Sequence, residues 1–94
     1  MGYYIETDSN KGKAKYLVDN YGAKEVSLDT ARKEFDGDHA TICVVDNVYM
    51  GFEAAGYAFD KREFEDFAYP EDRRPKTWLQ MNKETAKKLT GYKR

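Results

Sequence analysis

The run Thr41–Val45 (TICVV) is the most apolar stretch of this 94-residue chain, and it constrains the fold most. Five such residues rich in β-branched side chains read as a central strand. Alternation puts Ile42 and Val44 on one face and Cys43 and Val45 on the other. If helices cover only one face, one of these pairs stays partly exposed and offers a contact for a second copy of the chain. Asp46 and Asn47 open a turn. Phe52–Phe59 then follows as a strand, although Ala54 and Ala55 also suit a helix. A hairpin through Asn47–Gly51 is the simplest connection.

The flanking segments complete a set of short elements. Gly2–Thr7 is a β-prone run, with Tyr3 and Ile5 on one face. Asp8, Ser9 and Asn10 are capping residues ahead of Ala14, Leu17, Val18 and Tyr21, whose spacing is helical. Gly22 stands where a helix-ending glycine belongs, so the first helix is expected from about Asn10 to Tyr21. Ala23–Val26 reads as a short strand. Ser27 caps a short helix that carries Leu28, Ala31 and Phe35 on one side. Asp36-Gly37-Asp38 is a turn. Asp60 and Glu63 have the spacing of a capping box, ahead of the apolar stripe Phe64, Phe67 and Ala68. Thr77–Met81 alternates and reads as the last strand. Asn82 caps a final helix with Ala86 and Leu89 inward and Lys83, Lys87 and Lys88 outward. The expected core is Tyr3, Ile5, Leu17, Val18, Ile42, Val44, Phe64, Phe67 and Leu89. This order predicts one α+β domain over residues 1–94. Its mixed or antiparallel sheet has four to five short strands, with two to four helices packed mainly on one face.

Charge is segregated along the chain. Residues 1–34 carry six bases and six acids. Residues 35–72 carry ten acids against Lys61 and Arg62, and residues 73–94 carry eight bases against Glu84 alone. The total of −1 hides this asymmetry. One cysteine excludes an internal disulfide. The segment after Met1 has no apolar core of a signal peptide, and no run approaches a membrane span, so a cytoplasmic protein without membrane contact is expected.

Several segments together carry a resemblance: YYIET, NKGKAKYLVDNYGA, CVVDN, FEAAGYAFDKREFEDF and PEDRRPKTWLQMNKETAKKLTGY. The chain resembles small accessory proteins encoded by tailed bacteriophages and prophages, a similarity of pattern and size that spans most of its length. The resemblance implies expression in a bacterial host cytoplasm. It also implies action by binding host machinery or host defence, as anti-CRISPR inhibitors do. It brings no functional residues with it.

The residues themselves offer three candidate surfaces and little chemistry. No phosphate-binding loop, catalytic pair or cofactor motif stands out, so a non-enzymatic protein without a cofactor is expected. His39 and Cys43, with Asp36 and Asp38, could be drawn as a metal site, but a loop histidine and a buried, inert strand cysteine explain them better. The segment Pro70–Lys76 is the best contact loop. Two prolines stiffen it, Arg73 and Arg74 can fork onto carboxylates, Glu71 and Asp72 precede them, and Tyr69 and Trp78 flank it. The alternative surface is an acidic patch of Asp36, Asp38, Glu63, Glu65 and Asp66 imitating nucleic-acid charge. A third reading places nucleic acid on the basic segment. There Lys76, Lys83, Lys87, Lys88, Lys93 and Arg94 would meet phosphates, with Tyr92 or Trp78 stacking on bases. A sequence pI near 5.8 argues against it. A host protein complex is the expected partner.

Overall fold

The computed structural model describes residues 3–4, 13–35, 38–47, 52–58, 60–71 and 73–90. Five strands, β1 (Tyr3–Tyr4), β2 (Lys24–Val26), β3 (His39–Asn47), β4 (Phe52–Ala58) and β5 (Lys76–Asn82), form one sheet. Its order is β1-β4-β3-β5-β2, and every neighbouring pair is antiparallel. Four helices accompany it: α1 (Ala14–Tyr21), α2 (Leu28–Lys33), α3 (Lys61–Phe67) and α4 (Lys83–Thr90). The chain is thus a small α+β domain. β3 lies at the centre, with Ile42 opposite both Tyr57 and Leu79. Phe52–Ala58 is a strand, because it closes a hairpin whose last described pair is Asn47 with Phe52. The intervening turn lies outside the described residues.

The helices occupy both faces of the sheet, not mainly one. On one face Leu17 of α1 and Ala86 of α4 pack with Ile42, Val44, Ala55, Tyr57, Leu79 and Met81. On the other, Ala31 of α2 and Phe64 of α3 pack with Phe35, Cys43, Ala58 and Trp78. The connections explain the division. With alternating strand directions, α1 joins the parallel edge strands β1 and β2. α2 then returns from β2 to β3 in the opposite sense, and α3 joins β4 to β5, which run in the reverse direction. Right-handed crossovers therefore put α1 on one face and both α2 and α3 on the other. Both pairs of the central run are covered: Ile42, Val44 and Cys43 are buried and Val45 is half-buried. The naked face that would have invited a second copy of the chain is not there.

Local signals act where the sequence places them. Gly22 ends α1 with φ 69°, a left-handed value that glycine adopts without a Cβ clash, and the Ala23 N–H reaches back to the Leu17 carbonyl at 3.3 Å. The Ser27 hydroxyl accepts from Thr30 N–H at 3.1 Å, and the Asp60 carboxylate accepts from Glu63 N–H at 2.8 Å. Asn82 accepts from the N–H groups of Glu84 and Thr85 at the start of α4. The described part of α1 begins after Lys13, which makes no side-chain cap; Asp8, Ser9 and Asn10 lie outside the described residues.

The expected core is largely in place, with corrections. Leu17, Ile42, Val44 and Phe64 are buried, while Phe67 and Leu89 are half-buried. Val18 is 40% exposed. Ala14, Leu17 and Tyr21 already form the inward stripe of α1, and Val18 sits about 40° past its edge and about 100° round from the fully buried Leu17. Tyr3 pairs with Tyr57 in β1, and Ile5 lies outside the described residues.

Candidate functional site: the loop between α3 and β5

The segment from Tyr69 to Pro75 is fixed at both ends. At its start Ala68 closes α3, its N–H donating to the Phe64 carbonyl at 2.9 Å. At its end the Pro75 carbonyl accepts from Asp46 N–H at 2.9 Å, tying the loop to β3 just before β5 begins. Between these ties Tyr69, Pro70, Glu71, Arg73, Arg74 and Pro75 are all exposed. Asp72 lies outside the described residues. Tyr69 keeps 53% of its surface in water, more than any other large hydrophobic among the described residues. An exposed tyrosine and two arginines on an anchored, proline-bounded loop meet the usual composition of a protein contact. Such a loop loses little entropy when it docks.

Trp78 does not belong to this surface. It is 6% exposed, its ring centroid lies 5.0 Å from that of Phe64, and it stands opposite Cys43 in the sheet. Alternation along β5 turns Trp78 and Gln80 toward α2 and α3, and Leu79 and Met81 toward α1 and α4. A ring buried there cannot stack on a base, so the single-strand reading of the basic segment loses its only described stacking residue.

The acidic candidates do not make one open surface. Asp36 lies outside the described residues. Asp38 and Asp66 are exposed. Glu63 is buried at 9% in the first turn of α3, although its spacing from Phe64 had suggested a solvated face. Glu65 is engaged by a forked pair of hydrogen bonds from Arg32, Nε to Oε1 at 3.0 Å and an Nη to Oε2 at 3.2 Å, with Lys61 Nζ 3.8 Å away. The hydrogen bond from Arg32 holds the Glu65 carboxyl below the ordinary carboxylate range; desolvation opposes it, and the positive charges of Arg32 and Lys61 add smaller lowering effects. Lys61 also donates to the Arg32 carbonyl at 3.3 Å and lies 5.0 Å from the Phe64 ring centroid. Arg32 is 5.8 Å from the same ring. This bridge joins α2 to α3 across 33 positions of sequence. The i, i+4 spacing of Lys61 and Glu65 was visible in the sequence; the role of Arg32 was not.

His39 and Cys43 share β3 and one face of it, but four residues of strand separate them by about 13 Å. They cannot ligate one ion. Among the described residues no three His, Cys, Asp or Glu side chains are grouped to hold a metal. Also among the described residues, no helix is long and apolar enough to cross a membrane. Comparison with protein-family models, with curated proteins and with solved structures gives no match.

Proposed function

We propose that this chain is a non-catalytic binding protein that engages a protein partner through the loop between α3 and β5. In the phage setting its sequence resembles, that partner is a host protein complex in the bacterial cytoplasm, held for takeover of the host or inhibition of its defence. The observation that carries the reading is the anchored loop itself: Tyr69 is 53% exposed beside the exposed Arg73 and Arg74. Tyrosine and arginine concentrate binding energy at interfaces. The neutralised Glu65 and buried Glu63 weigh against the acidic-patch alternative.

The test is capture of a partner from nuclease-treated bacterial lysate by the wild-type chain and by a Tyr69→Ala/Arg73→Ala variant. The proposal expects capture by the wild type. It also expects affinity for the purified partner to fall by about 2 kcal/mol or more in the variant, with an unchanged melting temperature. Equal capture by both proteins, or no protein captured once nuclease has acted, contradicts it.

A further inference from the structure

The fold collects lysines from both ends of the sequence onto one layer. α1 and α4 pack on the same face of the sheet. Lys13, Lys15, Lys83 and Lys88 are exposed there, and Lys87 is half-buried within 3.9 Å of Glu84. The described acids on these two helices are Asp19 and Glu84 alone. The opposite layer has the reverse balance. α2, α3 and their caps carry Asp29, Glu34, Asp60, Glu63, Glu65 and Asp66 against Arg32, Lys33, Lys61 and Arg62. The linear charge map, with its neutral start and basic end, conceals this division because residues 13–15 and 83–88 come to the same face of the sheet only in the folded chain.

We infer that the outer face of α1 and α4 docks on the phosphate backbone of double-stranded nucleic acid. Three features select this occupant. The charges are lysines, which meet backbone phosphates as point charges without needing a forked geometry. Exposed aromatics, which single strands need for stacking, are missing from the described part of both helices: Tyr16 and Tyr21 are half-buried, with their rings 5.8 Å apart. Val18 is the sole exposed large hydrophobic there, too little for insertion into a lipid surface. The acidic layer does not forbid docking. The shortest extent of the fold is 23 Å, about twice the screening length at 0.1 M salt, so the far carboxylates are largely screened from the docked backbone. The contact carries no base readout, so it is independent of sequence. It is also separate from the protein-binding loop, and either can fail without the other.

The experiment measures fluorescence anisotropy with a labelled 25-base-pair duplex of arbitrary sequence, against the wild-type chain and two folded variants. Four exposed lysines on four phosphates give log K a slope of about −3 to −4 against log salt, so affinity should fall about 100-fold between 50 and 200 mM salt. Lys15→Glu/Lys83→Glu/Lys88→Glu should weaken binding at 50 mM salt by at least about 30-fold. Lys33→Glu/Arg62→Glu, on the opposite layer, should leave it within about twofold. Absence of duplex binding by the wild type at 50 mM salt overturns the inference. So does equal loss in the two variants. Tighter binding to phosphatidylserine vesicles or to polyglutamate than to the duplex overturns it in favour of a membrane or an acidic protein.

Discussion

The two helical layers flank the same strands, yet they are built from different chemistry. The α1/α4 layer is held mostly by aliphatic and small residues, Leu17, Ala40, Ala55, Met81 and Ala86 around Ile42 and Leu79, with Tyr57 its one buried ring among the described residues. Its outer face is lysine-rich. The α2/α3 layer is held by rings, with Phe64 tilted against Phe35 at 5.3 Å and against Trp78 at 5.0 Å, and Ala31 and Ala58 making room for them. Its outer face mixes acids and bases and is laced by the bridge from Arg32 to Glu65. The contact loop leaves from the end of α3, so the ring-packed layer carries the surface proposed to meet a protein.

Removing one anchor from each layer tests this contrast most severely. Phe64→Ala should cost about 4 kcal/mol, because it removes a fully buried ring together with its two ring contacts and leaves a cavity. Leu17→Ala, also fully buried, should cost about 3 kcal/mol. Urea melts followed by the single Trp78 read both values. A Leu17 loss clearly larger than the Phe64 loss would reverse the ranking of the layers.

A smaller effect concerns how α3 starts. Asp60→Ala removes the 2.8 Å bond to Glu63 N–H and should cost about 1 kcal/mol. Asp60→Asn should recover most of it, since asparagine caps as well. Equal losses in both variants would mean that the charge of Asp60, not its cap, matters.

The smallest effect belongs to the Arg32–Glu65 bridge. The Glu65 carboxyl is lowered in the folded chain, so the bridge stabilises above the ordinary carboxylate range. That contribution is lost as pH falls through the lowered folded value. Glu65→Gln should therefore lower stability slightly at neutral pH, and the difference from the wild type should vanish as pH falls through the lowered value. Added salt should shrink the difference between the two proteins, because both partners are about half exposed. A variant that melts like the wild type at neutral pH and low salt removes the bridge from the account.

Most elements were legible because their signals are local. The alternation of β3, the Gly22 stop, the Ser27 and Asp60 caps and the Asn82 cap each act within a few residues. The distribution of helices over two faces was harder, because it follows from strand order, and strand order is a long-range property. The clue was present in Thr41–Val45, which is apolar on both sides and would leave Cys43 and Val45 in water under a single layer. Trp78 was misplaced for a related reason. Its nearness to the arginines in sequence suggested a shared surface, while the strand alternation that buries it depends on which face α2 and α3 cover. The lysine face was hidden because its two halves lie some seventy positions apart. The loop candidate is a stretch of near neighbours in sequence, Tyr69, Arg73 and Arg74, and all three are exposed.

The claim beneath all of this is that both faces of the sheet are covered, and the only cysteine tests it directly. Cys43 is 1% exposed beneath α2 and α3. A chromogenic thiol reagent added to the native chain should label it no faster than the chain unfolds, and completely once denaturant is present. Rapid stoichiometric labelling of the native protein would mean that this face of β3 is open, and the two-layer account would fall.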